Sequence, residues 1–311
     1  MAASTTPSVL VLLAHANGFC KEVWDAVRRE LKSLLGTSPA PASIQVMALD
    51  LPGHGHGGAP VKYTLDGSPD WDDLGISVLS VVDNIAKASA DESGFRPPFS
   101  VLGVGHSLGG SACLLAELQR PGTFARLLLY EPIVFGPRAA RKPNPMAVLS
   151  AKRRREFTSA EEALDIWSSK PFFRSWDRDA LLGLVRGGLK QQSHNKWVLC
   201  CSPETETGYF SSCFPANRWD SLRSGTRFQC PTHIIVGKHT NIPLYNKGRA
   251  ERHFSQEVFP NTFGNIVSLE ITEQPLGEHL GPMEAPSEFA AKIYGVLANV
   301  LSLQGKSSYK L

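Results

Sequence analysis

Short apolar runs alternate with longer amphipathic stretches along this chain, and that alternation constrains its fold more than any other feature. Runs with strand character occupy residues 8–14, 44–49, 98–103, 125–130, 232–236 and 266–271, and stretches with helical spacing occupy 19–35, 71–90, 111–119 and 287–303. The first run, SVLVLLA, is apolar throughout, as expected for a strand that helices cover on both faces. The pattern predicts an α/β fold with a doubly wound, mostly parallel sheet of about six strands.

The alternation is interrupted between residues 137 and 227. This stretch has little strand character, and it shows helical spacing at 159–167 and 177–189. Because a structureless loop of this length is uncommon in a compact domain, we predict an all-helical insertion after the fourth strand. The expected organisation is a core formed by residues 1–136 and 228–304, the insertion at 137–227, and a C-terminal tail at 305–311.

Charge, hydropathy and cysteine content argue against several functional classes. The chain has 32 Lys and Arg against 29 Asp and Glu, and a net charge of +3 does not favour a nucleic-acid binder. It has no apolar run of about 18 residues, so no spanning helix is predicted, and residues 1–20 lack the marks of a secretory signal. The six cysteines form no C-x-x-C pair, which favours reduced thiols over redox or zinc chemistry.

His54 and His56 are possible metal ligands, but they have no clustered carboxylates. A tight turn is therefore favoured over a metal site, and no cofactor is expected.

Residues 103–110 read GVGHSLGG and contain G-x-S-x-G between a predicted strand and a predicted helix. In that context the serine, Ser107, lies on a sharp strand-to-helix turn, and the flanking glycines supply the room that the turn needs. The following helix directs its N–H groups and the positive end of its dipole toward an oxyanion formed there. The alternative is a glycine-rich turn with an incidental serine, but the flanking elements favour a nucleophile.

A serine hydroxyl is a weak nucleophile and needs a base. His279, in a loop between the sixth strand and the last helix, is the candidate base because it completes the chain order serine, acid, histidine. The usual position of the acid, just after the fifth strand, reads VGKHTN and has no carboxylate. Glu131, at the end of the fourth strand, is therefore the candidate acid that orients His279. Glu278 and Glu273 are its rivals, and a structural carboxylate or a solvated loop histidine are the alternatives.

Backbone N–H groups of Asn17 and Leu108 are the predicted oxyanion donors. Asn17 lies in HANGF, the small loop after the first strand, and Leu108 directly follows the nucleophile, ahead of the predicted helix. His15, in the same loop, is expected to make a structural hydrogen bond. The residues assigned to the substrate pocket are His15, Phe19, His106, Trp167, Phe172, Phe173 and Trp176. The four aromatic residues of the insertion, Trp167, Phe172, Phe173 and Trp176, suggest an apolar acyl group, or they simply form the core of the insertion.

Four motifs in order, HANGF, DLPGHGHG, GVGHSLGG and GEHLGPMEAPSEF, resemble the α/β-hydrolase superfamily over nearly the whole chain. The position of Glu131, at the end of the strand that follows the nucleophile, is similar to the position of the catalytic acid in haloalkane dehalogenases. It is also similar to that in fungal toxin-biosynthesis and mycophenolic acyl-CoA hydrolases. The second group keeps a serine, and FFRSWDRDALLGLVRGGL and CCSPETE resemble its cap. The resemblance implies that the insertion caps the pocket and that the family's usual first antiparallel strands are missing.

The resemblance implies a serine hydrolase that cleaves a carboxylic ester or thioester, acyl-CoA included, through an acyl-enzyme on Ser107. Carbon–carbon bond hydrolysis or lyase chemistry on the same triad and a non-catalytic ligand-binding receptor are the alternatives. Dehalogenase and epoxide hydrolase chemistry need a carboxylate nucleophile at the position of Ser107, so the serine argues against both. The arginines at 153–155 would suit a coenzyme A phosphate, although a short basic patch is more often a solvated face.

The chain ends in SYKL, which resembles the peroxisomal address S-K-L with tyrosine in place of a small residue. Related fungal hydrolases often end in Lys-Leu. We therefore expect a cytoplasmic or peroxisomal protein whose partner is a small-molecule acyl substrate, and the sequence does not fix its oligomeric state.

Overall fold

The computed structural model describes residues 9–36, 44–89, 99–135, 144–225, 228–243, 245, 249–255, 265–273 and 275–307, with side chains as far as residue 301. The strands are β1 (Val9–Ala14), β2 (Ile44–Leu49), β3 (Ser100–His106), β4 (Arg126–Tyr130), β5 (Glu156–Phe157), β6 (Leu189–Ser193), β7 (Lys196–Leu199), β8 (Thr232–Gly237) and β9 (Ile266–Thr272). The helices are α1 (Asp25–Gly36), α2 (Trp71–Ala88), α3 (Leu108–Gln119), α4 (Pro145–Ala151), α5 (Ala160–Ser169), α6 (Arg178–Gly188), α7 (Pro203–Ser211), α8 (Ala216–Ser224), α9 (Ala250–His253), α10 (Gly281–Glu284) and α11 (Pro286–Ser307).

A six-stranded parallel sheet in the order β2-β1-β3-β4-β8-β9 forms the centre of the molecule. Each of its strands lies on one of the apolar runs predicted from the sequence, so the doubly wound parallel sheet is confirmed. β1 is covered on both of its faces, as predicted, because its alternate side chains enter different hydrophobic cores. The side chains of Val9, Val11 and Leu13 face α1 and α11, and those of Leu10, Leu12 and Ala14 face α2 and α3.

The segment inserted between β4 and β8 is not all-helical, which corrects the prediction. It contains α4 to α8, but β5, β7 and β6 form a three-stranded antiparallel sheet in that order. The helix predicted over 177–189 ends at Gly188, where the chain enters β6, and a two-residue turn leads into β7. β6 reads LKQQS and is mostly exposed, so it lacks the apolar alternation that would have marked it as a strand.

The last helix, α11, continues to Ser307, beyond the predicted end at residue 303. The remainder of the predicted tail, 308–311, lies outside the described residues. All six cysteines have free thiols. No helix among the described residues is long and apolar enough to cross a membrane.

Candidate active site

The carboxyl ends of neighbouring parallel strands bring the predicted catalytic residues to one edge of the sheet, where α/β proteins bind their ligands. Ser107 follows β3 directly, and Glu131 follows β4 directly. β8 lies beside β4 and ends at Gly237. His279 lies between β9 and α10.

Ser107 occupies a strained turn between β3 and α3. Its φ of 54° and ψ of −117° lie in a region that L-residues rarely adopt. Two backbone hydrogen bonds hold it there: its N–H donates to the Tyr130 carbonyl at 3.0 Å, and its own carbonyl accepts from the Ile133 N–H at 3.3 Å. The residue is 5% exposed. A strained nucleophile turn of this kind is the geometry that G-x-S-x-G predicts.

Glycines beside the turn are required by close backbone contacts. A Cβ atom on Gly105 would lie 2.5 Å from the Cα of Gly110. A Cβ atom on Gly109 would lie 2.2 Å from the carbonyl oxygen of Ala14 and 2.6 Å from that of His15. The start of α3 therefore packs directly against the loop that follows β1, which brings the predicted oxyanion loop to the nucleophile turn.

Glu131 is a fully buried carboxylate that accepts three hydrogen bonds. Its Oε1 accepts from the Gly237 N–H at 2.8 Å, and its Oε2 accepts from the Thr240 hydroxyl at 2.7 Å and from Nδ1 of His279 at 2.6 Å. Because an ionised carboxylate only accepts, this contact places the ring proton of His279 on Nδ1. Glu131 also has a positive φ, 45°.

The two rival acids lie elsewhere. Glu273 is exposed and pairs with Lys238. The side chain of Glu278 is exposed, although this residue directly precedes His279. In the described structure the imidazole therefore contacts the displaced acid after β4 and not either carboxylate of its own loop.

Side chains from β3 and β4 hold the histidine loop. Nε2 of His106 donates to the His279 carbonyl at 2.8 Å, and the two rings lie 5.0 Å apart. The Tyr130 hydroxyl lies 2.9 Å from the Leu276 carbonyl and 2.5 Å from that of Glu278. Burial, together with the neighbouring His279, lowers the pKa of His106 well below its usual value, so the ring is neutral. The residue was predicted for the substrate pocket, and the structure shows it supporting the loop.

Two buried histidines hold the loop that follows β1. Nδ1 of His15 bonds the Ala16 carbonyl at 2.7 Å, and its Nε2 accepts the Leu51 N–H at 3.1 Å. Nε2 of His54 accepts the Gly18 N–H at 3.0 Å. Burial lowers the pKa of His15, and it lowers the pKa of His54 to about 3. Both rings are thus neutral hydrogen-bonding supports of the loop.

The possible metal ligands His54 and His56 are engaged by the backbone. Nδ1 of His54 bonds the Pro52 carbonyl at 2.9 Å, and Nε2 of His56 bonds the Leu189 carbonyl at 2.7 Å. Within the described ranges, no group of three or more His, Cys, Asp or Glu side chains is arranged to hold a metal ion.

The aromatic residues assigned to the pocket form one cluster with the loop after β1. Phe19 packs edge-on against Trp176 at 5.0 Å, Trp176 contacts Phe173 at 5.1 Å, and Phe173 stacks on Trp167 at 5.8 Å. Trp167 and Phe173 are buried, whereas Phe172 is 45% exposed. The cluster therefore joins the insertion to the core beside the oxyanion loop.

The same insertion segment also contacts the residues after the histidine. The Asp177 N–H donates to the Met283 carbonyl at 2.8 Å, and the Ser175 hydroxyl donates to Glu284 at 2.5 Å. The segment thus reaches both the loop after β1 and α10, the helix that follows His279.

The three consecutive arginines of the insertion are each paired with a glutamate. The pairs are Arg153–Glu206 at 2.8 Å, Arg154–Glu162 at 2.6 Å and Arg155–Glu204 at 3.0 Å. Their positive charges are therefore neutralised within the insertion, which weakens their assignment to a coenzyme A phosphate.

Two residues that support the site, Thr240 and Tyr130, were not predicted from the sequence. Thr240 lies in VGKHTN, a segment that has no carboxylate, and its hydroxyl bonds Glu131. Tyr130 lies in the predicted fourth strand, and its hydroxyl reaches the histidine loop. No spacing in the sequence signals either contact, because both depend on how distant segments meet.

Comparisons with known proteins identify the family of the chain. The sequence profile of the α/β hydrolase family matches residues 11–292. No curated protein sequence matches the chain.

Solved structures share the fold. The peroxisomal α/β-hydrolase Lpx1 of Saccharomyces cerevisiae has a TM-score of 0.69 at 18% identity, over 95% of this chain and 78% of that one. An esterase of M. tuberculosis has a TM-score of 0.59 at 20% identity, over 95% and 86%. The thioesterase domain of the curacin biosynthetic pathway has a TM-score of 0.61 at 17% identity, over 93% and 91%. The match of the family profile to most of the chain, together with the fold, shows that the protein belongs to the α/β-hydrolase family.

Proposed function

We propose that the protein is a serine hydrolase that cleaves a carboxylic ester or thioester through an acyl-enzyme on Ser107. The contact that carries the proposal is the 2.6 Å hydrogen bond between Nδ1 of His279 and the buried Glu131 carboxylate. This bond fixes the tautomer in which Nε2 has a free lone pair, as a general base for a serine requires. The strained turn at Ser107 lies on the adjacent strand end.

In the proposed mechanism, the Ser107 oxygen attacks the acyl carbon while Nε2 of His279 takes the hydroxyl proton. The negative charge of Glu131 stabilises the imidazolium that forms. Backbone N–H groups of Asn17 and Leu108 bind the oxyanion; the second is among the first N–H groups of α3, which have no partner within the helix. The imidazolium then protonates the leaving alcohol or thiol. Water, deprotonated by the same imidazole, attacks the acyl-enzyme and releases the carboxylic acid.

We propose an apolar acyl group for the substrate. Phe19 and Trp176 support this choice, since they pack together beside the oxyanion loop. Solved relatives described as an esterase and a thioesterase domain make both leaving groups reasonable to test. A closer relationship to the fungal acyl-CoA hydrolases stays a prediction. The arginines at 153–155 are each paired with a glutamate, which argues against a role for them in binding a coenzyme A phosphate.

Steady-state hydrolysis of a panel of p-nitrophenyl esters and acyl thioesters tests the proposal. Ser107→Ala is expected to lower kcat by several orders of magnitude, as removal of the nucleophile does in serine hydrolases. Ser111→Ala is the matched control, because Ser111 is a buried serine on the helix that follows Ser107 and its hydroxyl bonds only backbone carbonyls, that of Ile133 at 2.7 Å and that of Ser107 at 3.4 Å. Turnover retained in Ser107→Ala would refute the mechanism. Ligand binding without turnover of any ester would favour a receptor.

We also propose a cytoplasmic or peroxisomal location. Tyr-Lys-Leu at residues 309–311 is a variant of S-K-L with tyrosine in place of a small residue, and one structural relative is described as peroxisomal. A fluorescent fusion that ends in these residues distinguishes the two locations. A punctate signal that becomes diffuse when the last three residues are deleted would support the peroxisome, and a diffuse signal from the intact fusion would support the cytoplasm.

A further inference from the structure

We propose that the ion pair between Arg153 and Glu206 positions the oxyanion loop, so that the oxyanion hole is complete only when the insertion is docked on the core. Both residues belong to the insertion, whereas the loop after β1 belongs to the core. They are positioning residues, since they would act on the oxyanion through the backbone of Asn17 and Gly18. The inference rests on the proposed hydrolase function.

The two segments are joined by direct hydrogen bonds. The side-chain amide of Asn17 donates to the backbone carbonyl of Glu206 at 2.9 Å. Nη1 of Arg153 donates to the Glu206 carboxylate at 2.8 Å and reaches the Gly18 carbonyl at 3.5 Å. The insertion therefore holds the side chain of one loop residue and the carbonyl of the next.

Gly18 allows this close approach. Its φ of +77° favours glycine, and a Cβ atom there would lie 2.5 Å from Oε1 of Glu206 and 3.2 Å from Nη1 of Arg153. On its other side, the Gly18 N–H donates to His54 at 3.0 Å. The two peptide groups that flank Gly18 are thus fixed by the core at the Gly18 N–H and by the insertion at the Gly18 carbonyl. The Asn17 N–H belongs to the preceding peptide group and is restrained through them and through the bond of the Asn17 side chain to Glu206.

The ion pair between Arg153 and Glu206 is largely buried, unlike the neighbouring pair. The side chains of Arg153 and Glu206 are 18% and 10% exposed, whereas the neighbouring pair Arg155–Glu204 is 56% and 66% exposed. Removing one charge from a buried pair leaves its partner unneutralised, but replacing both by apolar residues is often neutral for stability. An oxyanion donor contributes mainly in the transition state, so loosening the loop should lower kcat more than it raises KM.

The test compares Glu206→Gln and the double variant Arg153→Met/Glu206→Leu with the control Glu204→Gln on the same helix. The Asn17 bond to the Glu206 backbone is available in every variant, so the comparison isolates the side-chain pair. We expect kcat to fall about 10- to 100-fold in the first two, less than the loss of a whole oxyanion donor. KM should change less than about twofold, and the control should match the wild type.

A boronic acid that forms a tetrahedral serine adduct provides a second readout. Its affinity should fall by the same factor as kcat, whereas the affinity of the carboxylic acid product should not change. The double variant decides the question if Glu206→Gln proves unstable. A folded double variant with wild-type kcat and boronate affinity would overturn the inference, as would an equal loss in Glu204→Gln. Failure of the proposed function would look different, because the wild type itself would then neither turn over esters nor bind the boronate.

Discussion

Backbone strain in this molecule is concentrated at two of the proposed catalytic residues. Among the described residues, Ser107 and Glu131 are the non-glycine residues with positive φ, 54° and 45°. Such conformations cost of order 1–3 kcal/mol each and persist only where the surroundings hold them. Here the Ser107 N–H bonds the Tyr130 carbonyl, and the Glu131 N–H bonds the Ile235 carbonyl. The strain aims two side chains from adjacent strand ends toward the same edge of the sheet.

At this scale, Glu131→Gln tests the displaced acid. The carboxylate accepts from Gly237, Thr240 and His279, and an amide would turn an NH₂ group toward at least one of these donors. We expect kcat for ester hydrolysis to fall about 10²- to 10⁴-fold, since the imidazole loses its tautomer and its counter-charge. Glu273→Gln is the control, because Glu273 pairs with Lys238 on the surface. A normal kcat in Glu131→Gln, with a loss in Glu278→Gln, would reassign the acid.

The proposed catalytic residues could be named from the sequence, whereas most of the residues that support them could not. Ser107 lies in a recognisable motif, His279 follows it in the chain order expected of a base, and Glu131 is a carboxylate at a strand end where the usual position of the acid has none. Among the supports, His15 makes the structural hydrogen bond expected of it. Thr240 and Tyr130 have no local signature, because their roles arise when β8 and the histidine loop meet the end of β4.

At the scale of elements, the insertion is fitted to the core by glycines in α6. A Cβ atom on Gly183 would lie 2.1 Å from the Glu22 carbonyl oxygen, in the 3-10 helix Lys21–Trp24. A Cβ atom on Gly187 would meet the Glu22 side chain. α6 therefore packs at backbone contact distance on the segment that follows the oxyanion loop.

Two glycine-to-alanine variants should change stability in opposite directions. Gly183→Ala should lower the free energy of unfolding by about 1–3 kcal/mol, because the added methyl group displaces backbone. Gly295→Ala should raise it by up to about 1 kcal/mol, because Gly295 lies in α11 with nothing within 4 Å of its Cβ position. Urea denaturation of both variants measures the difference. Equal effects would show that α6 does not pack against the core as described.

Elements were predicted well where apolar periodicity marks them. All six core strands coincide with apolar runs. The central strands β1, β3, β4 and β8 are apolar because they are buried on both faces, whereas the edge strands β2 and β9 are apolar although several of their residues are exposed. The β6–β7 hairpin was missed because β6 is polar and exposed, and its pairing depends on β7 more than on its own composition. The start of α3 was placed three residues late, since the turn at Ser107 ends immediately before Leu108.

At the scale of the whole molecule, several buried histidines make the fold sensitive to acid. Burial lowers the pKa of His15, His54, His106 and His253, to about 3 for His54 and about 4 for His253. These rings stay neutral in the folded protein, whereas in the unfolded chain they take up protons below about pH 6.5. The unfolded state then binds more protons, so stability is full above pH 6.5 and is lost as the pH falls toward the folded pKa values.

His54→Gln should make this loss less steep. Between pH 6 and pH 4.5, one such histidine contributes a slope of up to about 1.4 kcal/mol per pH unit. Free energies of unfolding measured by urea denaturation across this range should therefore decline less steeply in the variant, whatever its stability at pH 7. His194→Gln is the control, because His194 is exposed. An unchanged slope in His54→Gln would contradict a neutral buried His54.

The central claim is that Ser107 is a nucleophile activated by His279 and Glu131, and covalent labelling tests it most directly. The protein would be treated with a fluorophosphonate probe and the adduct mapped by mass spectrometry. We predict an adduct on Ser107 in the wild type and in Ser111→Ala, loss of the adduct in His279→Ala, and much slower labelling in Glu131→Gln. Absence of an adduct on Ser107 in the folded wild type, or undiminished labelling in His279→Ala, would contradict the account.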